Sequence, residues 1–293
     1  MTRPGRLPIL MTLSAAVLWA TSFTAVKLGL RYLDPCSFVF LRFSLATAIL
    51  IAIVIARRQW RLFSAYVRDR YVILLGMTIA ASYAFQFLGQ TQTTASRAVI
   101  IINSSAVLVA PLSYLMLKES IGPRKLIALG MGIFGIYLIT RGGRGGPGET
   151  ETLAGDLLVS GSAVAYGFYV VLTKMAVTRR TLSEVPLMAG VFLWSLPAFL
   201  AISLPAFAAG VRVSRNAWIA IAYLAVACSI LPFVIWTAAI KRIGALTSAI
   251  VLLAELVFGV LVARIVLGEV VSGTVAIGCA VIAAAILVVG TRT

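Results

Sequence analysis

Apolar segments long enough to cross a lipid bilayer recur along almost the whole of this 293-residue chain. A span needs about 20 mostly apolar residues, because each helical residue advances about 1.5 Å through a hydrocarbon core of roughly 30 Å. Hydrophobic residues make up 61% of the chain and charged residues only 12%, about half the charged fraction of a typical soluble domain. The sequence therefore predicts an all-α, multi-pass membrane protein with no separate soluble domain.

Interruptions in the hydropathy predict ten transmembrane helices. Turn-forming pairs such as Asp34-Pro35 and the Gly-Pro pair at 122–123 separate neighbouring spans. The predicted spans are residues 7–30, 36–56, 71–90, 97–117, 124–140, 152–173, 185–206, 216–238, 244–264 and 273–290.

The distribution of basic residues predicts how these spans are oriented. The net charge is +16, and the bases lie mainly in short loops, where they orient helices and meet the headgroups of membrane lipids rather than nucleic acid. With a cytoplasmic N-terminus, sixteen Lys and Arg residues fall on the inner side and eight on the outer side. Because cytoplasmic loops carry the excess of bases, both termini are predicted to be cytoplasmic.

A closing signature occurs twice in the chain. Leu-Lys-Glu at 117–119 recurs as Leu-Gly-Glu at 267–269. This duplication predicts a first five-helix repeat over 1–140, a Gly-rich linker over 141–151 and a second five-helix repeat over 152–293. With five spans in each repeat, the second repeat starts from the opposite side of the membrane, so the two repeats are inverted. Inverted repeats are typical of carriers that work by alternating access.

These motifs resemble those of the drug/metabolite transporter superfamily, in particular its EamA-type branch, over essentially the whole chain. The residues that carry the resemblance are Trp19 with Lys27, Leu41-Arg42-Phe43, the closing Glu119 and Glu269, and the Ala-Glu-Leu-Val-Phe stretch at 254–258. The resemblance implies a plasma-membrane carrier that moves a small organic solute outward, commonly an amino acid or related metabolite. The proline that the family carries thirteen residues before each closing Glu is replaced by Ala106 and Leu256, whereas Pro111 predicts a kink elsewhere in span four.

Two charged residues lie within predicted spans. A charge there is costly unless it is paired, hydrated or protonated, so Glu255 is predicted to bind a substrate amine or a proton. A structural ion pair or a hydrogen bond between packed helices is the alternative. Arg42 is predicted to take part in gating or an ion pair, to hold a substrate carboxylate, or to extend toward the headgroups.

Polar and aromatic residues at helical spacing predict the lining of a central cavity. Tyr83, Gln86 and Gln90 share one face of span three, and Asn103 in span four is expected to join them. A second set of predicted substrate-binding residues comprises Trp19, Tyr166 and, more weakly, Trp236. Helix packing is the alternative role for each of these side chains.

Other polar residues near the ends of spans have predicted structural or gating roles. Lys27 and Lys174 occupy matching positions in the two repeats and are predicted to act in gating, in ion pairs or as interface anchors. Glu119 and Glu269 close their helices and are predicted to be structural caps or hinges.

Several functions are excluded or made improbable by what the sequence lacks. The chain has no histidine and no phosphate-binding Walker loop, and the three cysteines are scattered, so we predict no enzyme activity, no metal site and no cofactor. The Gly-x-Gly-x-x-Gly pattern at 130–135 lies within an apolar helix and predicts close helix packing instead of dinucleotide binding.

The sequence as a whole predicts a secondary exporter of amino acids, aromatic ones among them, or of similar small organic solutes, and it leaves open coupling to protons or another ion. A sugar-nucleotide or phosphate-ester carrier is the alternative within the superfamily. A passive channel or a non-transporting membrane scaffold is the alternative from another class.

Overall fold

The computed structural model describes residues 6–90, 92–93, 98, 101–142, 152–179, 182–267 and 271–290, and leaves undescribed the side chains of residues 23, 27, 90, 179, 263 and 267. Within these ranges the chain forms helices and turns and contains no strand. The helices are α1 (Arg6–Gly29), α2 (Pro35–Ala56), α3 (Trp60–Val67), α4 (Arg70–Gln90), α5 (Ile101–Leu117), α6 (Pro123–Gly142), α7 (Leu153–Arg179), α8 (Glu184–Ala208), α9 (Arg215–Ile240), α10 (Ala245–Leu252 and Ala254–Leu267) and α11 (Gly273–Gly290).

Nine helices of the described chain are long and apolar enough to cross a membrane. These are all of the helices except α3 and α5, and α5 is a shorter apolar helix at the position predicted for the fourth span. The prediction of an all-α, multi-pass membrane protein is confirmed. The count of ten spans and the cytoplasmic placement of both termini stay predictions, and the predicted linker falls largely outside the described residues.

The short helix α3 was not predicted. It spans eight residues between α2 and α4 and is too short and too polar to register as a transmembrane segment. One of its faces packs on the bundle through the buried ring of Phe63. The N-terminus of α8 lies at the same end of the bundle as α3, because Tyr66 and Val67 contact α8 and its preceding turn. The C-terminus of α9 also lies there, because Lys241 contacts Leu182 and Glu184.

The two halves of the chain interdigitate throughout the bundle. Helix α1 packs on α9 and α10 of the second half, and in the corresponding arrangement α7 packs on α4 and α5 of the first half. Two further pairs, α2 with α8 and α6 with α11, each join a helix to its counterpart. This pairing pattern is unchanged when the halves are exchanged, as expected for a duplicated unit.

The α6–α11 pair crosses at glycines. A Cβ atom added at Gly135 would lie 2.9 Å from the carbonyl oxygen of Gly278, and one added at Gly278 would lie 2.8 Å from that of Gly135. Only glycine permits backbones to approach this closely. Gly135, the last glycine of the pattern at 130–135, therefore serves helix packing at this crossing.

Three helices of the bundle depart from regular α-helical geometry. Helix α10 is interrupted at Leu253, and α5 shows a turn at the corresponding place, Ser104. Both interruptions therefore form near Ala106 and Leu256 although neither position carries the proline that was expected there. Helix α5 ends in a π-turn over Ser113–Leu117, just after Pro111, and α9 contains a π-turn over Val226–Ile230.

Candidate functional site

A continuous set of aromatic rings lies between the two halves. The ring of Trp19 on α1 is 5.0 Å from Phe233 and 6.1 Å from Trp236, both on α9. Tyr169 stacks on Trp236 at 5.9 Å and on Tyr166 at 6.1 Å. The structure thus brings together Trp19, Tyr166 and Trp236, which the sequence offered as separate candidates.

Tyr83 joins the same aromatic set from the other side. Phe233 contacts Phe192 on α8 at 5.3 Å, Phe192 contacts Phe43 at 5.0 Å, and Phe43 contacts Tyr83 at 5.0 Å. Edge-to-face rings at these separations contribute about 0.5–1.5 kcal/mol per pair beyond the burial of their area. We call these rings, from Trp19 to Tyr83, the aromatic wall; all of them are buried in this conformation except those of Tyr83 and Tyr166, which are half-buried, so the wall mainly packs the two halves together.

Two indole N–H groups in this wall differ in their hydrogen bonding. Trp236 is fully buried, and its Nε1 donates to Ser248 Oγ at 2.8 Å. Trp19 Nε1 is buried and has no hydrogen-bond partner within the described part of the chain. In this conformation Trp236 supports the wall, whereas Trp19 retains an unused donor that could bind a carbonyl or carboxylate oxygen.

Glu255 lies at the interruption of α10. It is the second residue of the segment Ala254–Leu267, so its carboxylate lies at the positive end of that segment's helix dipole. The carboxylate lies near enough to Tyr83 and Tyr166 for its charge to act on both side chains. Among the described residues it accepts no hydrogen bond and forms no ion pair. The predicted structural ion pair is therefore not formed in this conformation with any of those residues.

Arg42 is buried and bonded to neutral partners in the second half. Its side chain is 3% exposed; Nε donates to Ser229 Oγ at 2.8 Å, and Nη2 donates to the Cys228 carbonyl at 2.9 Å. The guanidinium also lies 5.9 Å from the ring centre of Tyr83. Pro232, four residues after Cys228, has no N–H for this carbonyl, so Arg42 supplies a donor that the α9 helix cannot. Ser229 and Pro232 were not among the predicted residues.

The described amide candidates lie on α4, which also carries Tyr83, and on α5. Gln86 on α4 is half-buried, one helical turn beyond Tyr83, and Asn103 is half-buried immediately before the turn at Ser104 in α5. The side chain of Gln90 lies outside the described residues. Asn103 and Glu255 thus flank the matching interruptions of α5 and α10.

Two other predicted residues lie at the α3 end of the bundle. Lys174 Nζ donates to the carbonyls of Ile240 and Lys241 at 2.8 and 3.1 Å, where α9 ends. Both carboxylate oxygens of Glu119 accept from Ala245 N, at 3.0 and 3.1 Å, where α10 begins. Glu119 thus caps a helix of the other half and not the helix that follows it in the chain.

The residues predicted at the matching positions of the other repeat are not described. The side chain of Lys27 and the whole of Glu269 lie outside the described residues. A further contact at the α3 end joins Lys241 to Glu184 on α8, a pair that the sequence analysis did not single out.

A cavity of about 260 Å³ lies apart from these polar residues, between α1, α10 and α11. Its lining is apolar and consists of Leu13, Ala254, Val257, Phe258, Ala283, Ile286 and Leu287. None of the predicted site residues lines this cavity, so it is not the candidate site.

Comparison with known proteins identifies relatives over both halves. The model of the EamA-like transporter family matches residues 6–141 and 153–291. An uncharacterized transporter of Archaeoglobus fulgidus is 32% identical over 239 residues, which cover 80% of each chain. The uncharacterized transporter YyaM of Bacillus subtilis is 25% identical over 244 residues, covering 80% of this chain and 78% of YyaM. One solved crystal structure superposes with a TM-score of 0.78 at 21% identity, covering 96% of this chain and 95% of the other, and shows the same fold.

Proposed function

We propose that this chain, which belongs to the EamA-like transporter family, is a secondary carrier. It exports small organic solutes such as amino acids by alternating access. The family and the relatives establish a multi-pass transporter of the plasma membrane. The solute, the direction and the alternating mechanism are our proposal.

The observation that carries the proposal is the position of Glu255. A carboxylate within a span costs several kcal/mol unless it is compensated. The interruption of α10 and its helix dipole provide part of that compensation, but no described residue neutralises the charge. We infer that a transported ammonium group or a proton completes the site. Discontinuous helices whose ends line the binding site are common in carriers.

The surrounding groups support an amino acid as the solute. Trp19 offers an unused N–H donor for a carboxylate, and α1, which carries it, packs directly on α10, which carries Glu255. The rings of Tyr83 and Tyr166 provide an aromatic surface suited to an aromatic or branched side chain. An acceptor, a donor and an apolar wall together match a zwitterion with a hydrophobic body.

The phosphate-ester alternative is less well supported. A doubly anionic solute needs at least two available bases, and the Nε and Nη2 donors of Arg42 are bonded to Ser229 and Cys228. A passive channel or a scaffold would not need a carboxylate within a span that no described residue neutralises.

Counterflow into proteoliposomes tests the proposal. We expect purified protein to exchange labelled aromatic or branched amino acids saturably, and Glu255→Gln to lower the rate at least tenfold while the protein stays folded. Asp34→Asn is a matched control, because it makes the same acid-to-amide change at the start of α2 and keeps an N-cap to Ser37 N.

Three outcomes would contradict the proposal. Normal saturable exchange by the Glu255→Gln variant would remove this residue from the mechanism. Flux that rises linearly with solute concentration would indicate a channel, and no flux across a broad solute panel would favour a scaffold.

A further inference from the structure

The segment that joins α2 to α4 carries a dense cluster of exposed arginines. Within residues 57–70 the chain has five arginines and one acid, Asp69, so this segment alone has a net charge of +4. We call the five the arginine surface: Arg57, Arg58, Arg61, Arg68 and Arg70, all of them exposed. Arg61 and Arg68 are seven residues apart around α3 and so share its outer face.

None of these arginines is neutralised within the described part of the chain. None forms a salt bridge or a side-chain hydrogen bond with a described residue. Arg70 lies over the ring of Tyr71, 5.3 Å from its centre. The Oδ1 atom of Asp69 accepts a hydrogen bond from the Tyr71 N–H at the start of α4. The positive charge of this surface is therefore available to an external anion.

Exposed apolar side chains lie at the same level as the arginines. Ile55, Trp60 and Leu62 are 58%, 52% and 44% exposed, respectively. The opposite face of α3 is fixed to the bundle: Phe63 is buried, and the Val67 carbonyl accepts from Trp194 Nε1 at 2.8 Å. A helix that presents apolar and cationic side chains together, at the end of a transmembrane bundle, suits the boundary between headgroups and acyl chains.

Arg58 occupies a backbone position that favours glycine. Its φ is +56°, and the Arg58 and Gln59 N–H groups donate to the carbonyls of Ile55 and Val54, both at 2.9 Å. These two bonds form a Schellman motif that ends α2, in which the left-handed residue is usually glycine. A side chain there is disfavoured, and this points to a role for the guanidinium that the fold itself does not need.

We propose that the arginine surface, together with Trp60, binds the phosphate headgroups of anionic phospholipids. The guanidinium groups supply the charge and the hydrogen-bond donors that phosphate oxygens accept. The exposed apolar side chains select a lipid over a free phosphate ion, because an acyl chain can cover them. The site is separate from the proposed solute site and does not depend on it.

Lipid titration of the purified full-length protein tests this proposal. Native mass spectrometry counts phosphatidylglycerol and phosphatidylcholine bound to delipidated protein in detergent, at low and high salt. Each base near an anionic surface strengthens binding about fivefold, so the triple variant Arg57→Gln, Arg58→Gln, Arg61→Gln should bind phosphatidylglycerol about 100-fold more weakly. The wild-type protein should bind more phosphatidylglycerol than phosphatidylcholine. Its binding of phosphatidylglycerol should weaken at high salt.

A second triple variant controls for net charge. Lys118→Gln, Arg124→Gln and Arg242→Gln remove three exposed bases that lie in separate loops or at a helix start, at the same end of the bundle. We expect this variant to keep most of the phosphatidylglycerol binding. An equal loss in both triple variants would show that only total charge matters and would overturn the proposal.

Arg58→Gly separates binding from folding. Because glycine suits a φ of +56°, this variant should melt at a higher temperature than the wild type and yet bind phosphatidylglycerol about fivefold more weakly. Unchanged lipid binding by this variant and by the first triple variant would refute the assignment. Displacement of the lipid by inorganic phosphate at equal concentration would show a free-anion site and would also refute it.

Discussion

Glu119 provides the sharpest test of how the two halves are coupled. Its two carboxylate oxygens accept the N–H of Ala245, the first residue of α10. The preceding residue, Gly244, has no side chain that could cap this helix, so the first half supplies the cap of a helix in the second half. We predict that this contact stabilises the conformation in which the α3 end of the bundle is held together.

The magnitude follows from the two parts of the interaction. Loss of an N-cap costs about 1–2 kcal/mol. A carboxylate at a helix N-terminus contributes a further ~0.3–1 kcal/mol through the helix dipole. Glu119→Gln keeps an acceptor oxygen and should cost about 1 kcal/mol, whereas Glu119→Ala should cost about 2 kcal/mol. If the contact exists in only one of two conformations, the ratio of the other to this one rises about fivefold and about 30-fold, respectively.

The distance between spin labels across the contact measures this ratio. Lys118→Cys and Arg242→Cys place labels on exposed positions in the two halves, in a background whose three native cysteines are alanine. We expect double electron–electron resonance to show a longer distance that gains population in Glu119→Gln and more in Glu119→Ala. Gly244→Ala should act in the same direction, because its added Cβ would lie 2.8 Å from Glu119 Oε2.

A double variant of Glu119 and Gly244 tests whether the contact between Glu119 and the Ala245 N–H itself causes the shift in the distance distribution. Both substitutions break one interaction, so the double variant should shift the distance distribution no further than Glu119→Ala alone. Additive shifts would refute the reasoning. An unchanged distribution in Glu119→Ala would also refute it, whatever happens to thermal stability.

Two further predictions concern packing and are read as changes in thermal stability in detergent. Gly135→Ala should destabilise by about 1–3 kcal/mol, because its Cβ would lie 2.6 Å from Ile282 Cγ1 and close to the backbone of α11. Gly130→Ala in the same helix meets nothing within 4 Å and should stabilise by about 0.5–1 kcal/mol, so equal effects at the two glycines would contradict the observed crossing. Ser248→Ala should cost about 1–3 kcal/mol of stability and shift tryptophan emission, because Trp236 Nε1 loses its hydrogen-bond acceptor. An unchanged emission spectrum and melting temperature would contradict this prediction.

The long helices could be predicted from the sequence because hydropathy acts locally. The predicted span 36–56 differs from the helix Pro35–Ala56 by one residue, and most other described ends agree within a few residues. The clearest difference is α7, which continues to Arg179 where the predicted span ended at 173. Its additional turns bring Lys174 to the carbonyls at the end of α9, and a polar end of this kind carries little hydropathic signal.

The partners of the site residues could not be predicted, because they lie far away in the sequence. Glu119 contacts a residue 126 positions later, and Arg42 contacts residues 186 and 187 positions later. One local signal was available: Pro232 leaves the carbonyl four residues earlier without its helical donor. It indicates that a donor is needed there, but only the packing of α2 on α9 identifies that donor as Arg42.

The interruptions of α5 and α10 show how a duplicated scaffold comes to have unequal chemistry. Each half presents a helix N-terminus at the matching place, one starting at Ser105 and the other at Ala254. The backbone geometry and its positive dipole are therefore duplicated, whereas a carboxylate occurs only in the second half, at Glu255, opposite the neutral Ser105. Two carboxylates at these sites would repel each other in a medium of low dielectric constant, and one would be driven to its neutral form. If Glu255 binds the cationic end of the solute, as we propose, one acid is sufficient, and the helix N-terminus at Ser105 provides a second positive dipole end for the anionic end of that solute.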